Sequence, residues 1–198
     1  MKSFFVFLST LFSFLAAEGS NYPVVRVVPY AAKHGHIIVR CMMEHYPALC
    51  SMKKSDPCVQ SVEARKQYGI QMVNELNQRA NDLGQVMNPD RSITVVKVAE
   101  VDDHAVGYVR YIALPKFRGA CISQLAIQNQ DRGLGYGRIL MEHALKDLRN
   151  IPGIDSAMLS TFSRELGDKF YVPLGFQLQS NEKSDEDYDV CTWDISLK

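Results

Sequence analysis

The stretch SQLAIQNQDRGLGYGRIL, residues 123–140, contains three signals that decide the fold. Leu125 and Ile127 belong to a predicted strand over residues 120–128. A turn with three glycines follows, and residues 137–148 have apolar residues at the three- and four-residue spacing of a helix. The stretch therefore predicts a strand that leads through a glycine-rich turn directly into an amphipathic helix.

The glycine-rich turn has the composition of an anion-binding site. Glycines let the backbone approach a ligand closely. The free N–H groups of the first helical turn point at such a ligand, and the helix dipole favours negative charge. Arg132 adds a positive charge immediately before the glycines. We predict that a phosphate or pyrophosphate binds here, the alternative being a turn that holds no ligand.

Two familiar phosphate motifs do not fit the turn. The dinucleotide pattern G-x-G-x-x-G fails because Arg138 stands three residues after Gly135. The P-loop pattern fails because no Gly-Lys-Ser/Thr follows.

The same residues resemble the coenzyme A motif of the GNAT superfamily of N-acetyltransferases, Arg/Gln-x-x-Gly-x-Gly/Ala after a strand of the form Leu-x-Val. Arg132, Gly135 and Gly137 fit the motif, and Leu125 and Ile127 fit the strand. A second segment looks like the family's Phe-Tyr-x-x-Leu-Gly-Phe sequence; its matching residues are Phe170, Tyr171, Leu174, Gly175 and Phe176. The resemblance covers roughly residues 93–195.

The resemblance implies transfer of an acetyl group from acetyl-CoA to an amine by direct attack in a ternary complex. Tyr171 would give a proton to the leaving thiolate, a transfer about 2 kcal/mol uphill at reference pKa values. The implied cofactor-binding residues are Leu125, Ile127, Arg132, Gly133, Leu134, Gly135, Tyr136 and Gly137. The alternative is a domain of the same fold that binds acyl-CoA without turnover or serves only protein interaction.

The chain departs from the family's pattern at several positions. Asn129 stands where the family often has Pro, and Arg164 stands where it often has Asn. Some members place a Glu on the strand before the glycine turn, but this strand has Ser123 and Gln124. Candidate bases near another strand end are Glu100, Asp102, Asp103 and His104. A solvated turn is the simpler interpretation of each candidate, so no general base is assigned.

The order of elements predicts a mixed α/β (α+β) domain of the GNAT-like kind, with a mostly antiparallel sheet and helices on both faces. We expect strands over residues 24–28, 93–98, 105–114, 120–128, 156–160, 176–179 and 188–195. We expect helices over residues 31–46, 56–83, 137–148 and 164–171, with a break over residues 47–55 and a turn over residues 84–89.

The first residues read as a separate segment. Lys2, an apolar run to Ala17 and small residues after it are typical of a secretory signal, which predicts a signal peptide over residues 1–19 and the domain over residues 20–198. Export would let Cys50 and Cys58 pair, and a cytoplasmic location is the alternative. The run is too short for a stable membrane span.

The remaining composition favours no further partner. The 22 basic and 22 acidic residues balance, which gives no indication of a nucleic-acid partner. His34 and His36 lack the neighbours that would complete a metal site, so we expect solvated or helix-start roles for them and no metal.

Overall fold

The computed structural model describes residues 24–49, 61–161, 163–183 and 189–198. The strands within these ranges are β1 (Val25–Pro29), β2 (Gln85–Met87), β3 (Ile93–Val101), β4 (His104–Leu114), β5 (Gly119–Ile127), β6 (Ser156–Thr161), β7 (Gln177–Lys183) and β8 (Asp189–Ser196). The helices are α1 (Gly35–Leu49), α2 (Val62–Arg79), α3 (Tyr136–Arg149) and the short α4 (Arg164–Leu166). A π-helical turn, Gly167–Tyr171, and a 3₁₀ turn, Val172–Leu174, continue α4.

The strands form one mixed sheet in the order β1-β3-β4-β5-β6-β8-β7, and β2 pairs with β3 beside β1. Every pairing is antiparallel except that of β5 with β6. A parallel pair needs a crossover connection, and α3 supplies it. The expected mostly antiparallel sheet is confirmed.

Helix α3 covers one face of the sheet. Its apolar side packs on strand residues that include Val95 and Ala99, and Trp193 lies in the same core. Five apolar residues within the predicted helix form this side and are buried: Leu140, Met141, Ala144, Leu145 and Leu148. Burial of this stripe stabilises α3, because a helix of 14 residues is marginal on its own.

Helices α1 and α2 cover the opposite face. Ile37, Ile38 and Met42 of α1 form a second core with Val96 and Val98, the β3 residues that alternate with those facing α3. The expectation of helices on both faces is therefore confirmed.

Several local predictions differ from the structure. Helix α2 ends at Arg79 rather than at residue 83, and β7 extends to Lys183 rather than to residue 179. The turn predicted over residues 84–89 contains the short strand β2, because the Gly84 amide donates to Asn81 and the chain then pairs with β3. Helix α1 extends past Pro47 to Leu49, beyond the predicted end at Tyr46. Pro47 has no N–H to donate to the preceding turn, so α1 lacks one helical hydrogen bond near its C-terminus.

Several predictions concern residues outside the described ranges. They are the signal peptide over residues 1–19, the pairing of Cys50 with Cys58, and the start of the second helix at Asp56. In the described part of the chain, α2 begins after Ser61, whose Oγ accepts a hydrogen bond from the Ala64 amide at 3.3 Å. No helix there is both long and apolar enough to cross a membrane.

Candidate active site

The parallel pairing of β5 with β6 is short. It joins Gly119, Ala120 and Cys121 to Ser156, Ala157 and Met158, and it goes no further. From Ile122 onward the two strands separate, although β5 stays paired with β4 as far as Ile127. One edge of β5 therefore presents its backbone N–H and C=O groups to the space between the strands.

A bulge marks the point where the strands separate. Arg110 of β4 is opposite Gln124 and Tyr111 is opposite Ile122, so Ser123 is an extra residue in β5. The Ser123 hydroxyl donates to the Arg110 carbonyl at 3.1 Å, which holds the bulge closed against β4. Bulges bend the strand that contains them. The bulge thus accompanies the departure of β5 from β6.

The space between the strands is a cleft of about 600 Å³, within the range of small-molecule sites. Eight of the nine residues proposed from the sequence for cofactor binding and catalysis line it: Leu125, Ile127, Arg132, Gly133, Gly135, Tyr136, Gly137 and Tyr171. Leu134 does not, and its side chain is 60% exposed. Its backbone amide still belongs to the glycine turn.

The glycine turn ends the cleft at the N-terminus of α3. Gly133 and Gly135 have φ angles of +79° and +85°, which side chains other than glycine's rarely allow. Within the described residues, the amides of residues 133–137 have no hydrogen-bond acceptor. Exposed amides at the positive end of a helix form an anion site. The turn therefore has the free amides and the helix N-terminus that the predicted anion site requires.

Helix α1 holds the base of the glycine turn. The Gln128 side chain is buried, accepts from Arg40 at 2.8 Å and donates to Asp131. The Asn129 amide donates to Glu44 at 2.8 Å. The turn is thus fixed from both faces of the sheet, by α3 and by α1.

Arg132 does not point freely into the cleft. Its Nε donates to the Ile127 carbonyl at 3.4 Å, at the end of β5. The guanidinium therefore lies beside the strand end and adds positive charge to the mouth of the glycine turn. Arg138 also lines the cleft and pairs with Glu142 at 2.8 Å. In the sequence, Arg138 is visible only as a mismatch to the dinucleotide motif.

Tyr171 lies on the wall of the cleft opposite β5. Its ring makes edge contacts with Phe170 and Phe176, at centroid distances of 4.9 Å and 5.7 Å. Burial raises the pKa of Tyr171 to about 12. Its hydroxyl has no hydrogen-bond partner among the described residues, so it stays protonated and is free to bond to a ligand in the cleft.

The carboxylates considered as bases lie elsewhere. Glu100 is only 3% exposed, and it contacts His34 at 2.8 Å and Lys33 at 2.7 Å on the face covered by α1. Asp102 and Asp103 form the exposed turn between β3 and β4, with φ angles of +48° and +65°. The solvated-turn interpretation is right for these two aspartates and for the exposed His104, and it is wrong for Glu100. His34, expected to be solvated or to start a helix, is buried in the 3₁₀ turn directly before α1.

Gln124, named from the sequence only as part of a strand without the Glu that some family members have there, also lines the cleft. It is buried, and its Oε1 accepts from the Tyr108 hydroxyl at 3.3 Å. That bond turns the side-chain NH₂ away from Tyr108. The signal in the sequence was a polar residue inside an apolar strand, which alternation alone assigns to a solvent face.

Among the described residues, no three His, Cys, Asp or Glu side chains come together in a way that would hold a metal ion.

A mixed sheet whose one parallel pair separates over a glycine turn is the architecture of an acyltransferase domain. The chain belongs to the acetyltransferase (GNAT) family, whose family model matches residues 59–176, more than half of the chain. It is an acetyl-CoA-dependent N-acetyltransferase. No curated protein sequence is significantly similar to it.

Solved structures share the fold at low sequence identity. The ribosomal-protein-S18-alanine N-acetyltransferase of Escherichia coli is 12% identical, with a TM-score of 0.59 over 88% of this chain and 95% of its own. PaiA N-acetyltransferase of Thermoplasma acidophilum, solved with coenzyme A, is 12% identical, with a TM-score of 0.59 over 87% of this chain and 99% of its own. A GNAT acetyltransferase of Streptococcus pneumoniae is 10% identical, with a TM-score of 0.58 over 88% of this chain and 100% of its own.

Proposed function

We propose that the chain transfers the acetyl group of acetyl-CoA directly to an amine while both are bound in the cleft between β5 and β6. The observation that carries this proposal is the early end of the parallel pairing at Cys121. It leaves an open strand edge that leads from the bulge at Ser123 to the free amides at the start of α3.

The open edge suits the pantetheine arm. Extended amides add to an exposed strand through main-chain hydrogen bonds, and the pantetheine arm contains two amides. The backbone of residues 125–127 faces the cleft and lies between the bulge and the glycine turn. The arm would therefore run along β5, with Leu125 and Ile127 beneath it.

The glycine turn suits the pyrophosphate. The amides of Gly133, Leu134, Gly135, Tyr136 and Gly137 would donate to its oxygens, and Arg132 would add charge at the mouth. A Cβ at Gly135 would meet no atom of the protein within 4 Å, and a Cβ at Gly137 would make only ordinary contacts. The space beside Gly137 is therefore open enough for a ligand to approach the backbone.

The thioester would lie at the other end of the edge, near Ser123 and Tyr171. The amine nitrogen attacks the thioester carbonyl carbon and forms the amide bond, the C–S bond breaks, and the sulfur takes the Tyr171 proton. With a pKa of about 12, Tyr171 holds its proton throughout the physiological range. Burial beside the ring also raises the pKa of the leaving thiol, which reduces the mismatch between donor and acceptor.

The amine must lose a proton before or during attack. A lysine-like amine costs about 4.6 kcal/mol to neutralise at pH 7. Of the described residues that line the cleft, Asp131 is the sole carboxylate, and it accepts from Gln128 at the glycine turn. We propose that the proton leaves through water held by the polar wall near Ser123 and Ser160.

Thermal unfolding with and without acetyl-CoA tests the binding half of this proposal. At about 100 times Kd, the ligand adds about 2.7 kcal/mol, a rise of about 5–10 °C in Tm for a domain of this size. Thiol release with a panel of amines then tests transfer. Double-reciprocal plots of initial rate against amine concentration, at several acetyl-CoA concentrations, should intersect if a ternary complex forms. Parallel lines would point to an acetyl-enzyme intermediate. Stabilisation without thiol release would favour a binding domain.

We further propose that residues 1–19 act as an export signal, on the strength of their basic start and short apolar run. Amino-terminal sequencing of the protein recovered from cell fractions tests this proposal. An intact Met1 in the cytoplasmic fraction would contradict it.

A further inference from the structure

A second cavity, of about 260 Å³, lies between α2 and the sheet face formed by β3 and β4. Met72 and Leu76 of α2 form its apolar roof, and Ile112 and Leu114 of β4 form part of its floor. Its volume is just below the range of drug-sized sites, about 300–1,000 Å³, so it suits a small molecule.

One cationic side chain in this cavity has no ion-pair partner among the described residues. Arg110 of β4 lines the cavity, and its Nε is shielded from solvent without a hydrogen-bond partner. Among the described residues, no carboxylate forms an ion pair with its guanidinium. Buried charged groups in native proteins are normally paired, and an unpaired one indicates a ligand, ion or water that completes the site.

The acidic residues around the cavity already have partners. Glu75 pairs with Arg79 at 2.6 Å on the surface of α2. Asp90 accepts from the Ser92 amide at 2.9 Å and from the Ser92 hydroxyl at 2.7 Å. Those bonds lower the pKa of Asp90 and keep it ionised. Both anions are thus stabilised without Arg110, so its guanidinium remains available.

The backbone of Arg110 is directly beside the proposed site of acetyl transfer. It is the register partner of Gln124, and its carbonyl accepts the Ser123 hydroxyl at the bulge. Gln124 and Ser123 both line the acetyl-CoA cleft. Arg110 also counteracts the rise that burial causes in the pKa of Cys121, which places its charge near that β5 thiol.

We propose that Arg110 binds the carboxylate of the acceptor, so that the acceptor is a small amine with a carboxylate, as a free amino acid is. Guanidinium and carboxylate form two parallel hydrogen bonds, which fix orientation as well as charge. Because the Arg110 backbone contacts Ser123 at the edge of the acetyl-CoA cleft, a carboxylate at Arg110 would direct the amine of the same molecule toward the bulge. This inference rests on the proposed transferase function.

The test compares L-amino acids with the matching amino-acid amides as acceptors for the full-length protein, by thiol release from acetyl-CoA. Each pair differs in the carboxylate and, because that negative charge acts on the neighbouring α-amine, in the pKa of the amine, so kcat/KM is compared per concentration of neutral amine. We expect the acids to have a kcat/KM about 10- to 100-fold higher than the amides, the range of a hydrogen bond to a charged group. Arg110→Gln should remove that preference by lowering kcat/KM for the acids and leaving the amides unchanged. Arg110→Lys, which keeps the charge but not the planar fork, should be intermediate.

Arg149→Gln is the matched control, because Arg149 is exposed at the far end of α3. It should keep the preference for acids. A binding readout accompanies the kinetics: N-acetyl amino acids should raise the Tm of the wild-type protein and not that of Arg110→Gln. If Arg110→Gln does not fold, the comparison of acids with amides in the wild-type protein still tests whether the acceptor site prefers a carboxylate.

Equal rates for acids and amides would overturn the inference and leave the transferase function intact. The inference would also be overturned if the amino acids were not acetylated and the N-acetyl amino acids did not raise the Tm, while acetyl-CoA still stabilised the protein. If acetyl-CoA itself gives no stabilisation, the proposed function fails together with the inference.

Discussion

Gly167 lies directly against the indole ring of Trp193, so close that a methyl group on the glycine would overlap the ring. Trp193 is fully buried in β8, and its Nε1 donates to Thr161 Oγ1 at 3.2 Å. Gly167 begins the π-helical turn that ends at Tyr171. The contact therefore sets how closely the turn that carries Tyr171 approaches the sheet.

Gly167→Ala should both destabilise the protein and slow transfer. Overpacking of this kind costs about 1–3 kcal/mol, and moving the turn displaces the Tyr171 hydroxyl. Calorimetry should show a lower Tm, and kcat should fall more than acetyl-CoA affinity. Gly119→Ala is the control, since its added methyl would come no closer than 3.7 Å to any neighbour. A normal Tm for Gly167→Ala would mean that the indole moves freely.

Gly135→Ala should weaken acetyl-CoA binding beyond its effect on stability. Its left-handed backbone costs about 1–2 kcal/mol for a residue with a side chain. Gly153 is a matched control, because its φ of +84° nearly equals the +85° of Gly135 and both have open surroundings. The two variants should lose similar stability, and only Gly135→Ala should lose affinity in a titration with acetyl-CoA. Equal affinities would argue against a pyrophosphate at this turn.

Tyr171→Phe should lower kcat by about 100-fold or more, the usual contribution of a positioned proton donor. Acetyl-CoA affinity and Tm should change little, because the hydroxyl has no partner among the described residues. Tyr111→Phe should show the opposite pattern. The Tyr111 hydroxyl donates to Asp147 at 3.0 Å away from the cleft, so this variant should lose about 1 kcal/mol of stability and no rate. A fully active Tyr171→Phe enzyme would exclude Tyr171 as the acid.

The pH dependence of transfer should follow the acceptor amine. Because the pKa of Tyr171 is about 12, the acid stays protonated as pH rises, while more of the amine becomes neutral. The logarithm of kcat/KM should therefore rise with a slope near one up to the pKa of the amine. Two acceptors of different pKa should show correspondingly different inflections. A shared inflection near pH 6–7 would reveal an enzyme base instead.

Acid should destabilise the fold through the pair formed by His34 and Glu100. His34 Nδ1 accepts from the Ala31 amide at 2.9 Å, so Nε2–H donates to Glu100 and the ring is neutral. Burial lowers the pKa of His34 below 6.5, and the bond from Lys33 lowers the pKa of Glu100 below 4.5. The unfolded chain therefore binds both protons at higher pH than the folded chain does.

Stability should accordingly be full above about pH 6.5 and fall as pH drops, first through the His34 range and then below about pH 4.5. Thermal melts between pH 8 and pH 3.5 measure this fall. Glu100→Gln should reduce Tm at pH 7 and flatten the part of the curve below pH 4.5. A Tm that rises on acidification would contradict the assignment of a neutral, buried His34.

Local sequence determined the glycine turn, α3 and the strand before it. Three glycines, an arginine and an apolar stripe lie within 26 residues, from Ser123 to Leu148, and the first-turn amides are unpaired in any helix. The turn's chemistry could therefore be predicted before its position in the fold was known. The aromatic segment that contains Tyr171, which has a glycine on either side, could likewise be recognised from the local sequence.

Only the tertiary structure decided which polar residues face the cleft, which are buried and which lack a partner. Glu100 and His34 are 66 residues apart, and each alone looks like a surface residue. Arg110 lies under α2 without an ion-pair partner among the described residues, and the extra residue Ser123 determines which side of β5 carries Gln124. Strand alternation is a period of two along one chain, whereas bulges, separated strands and ion pairs depend on how distant segments pack.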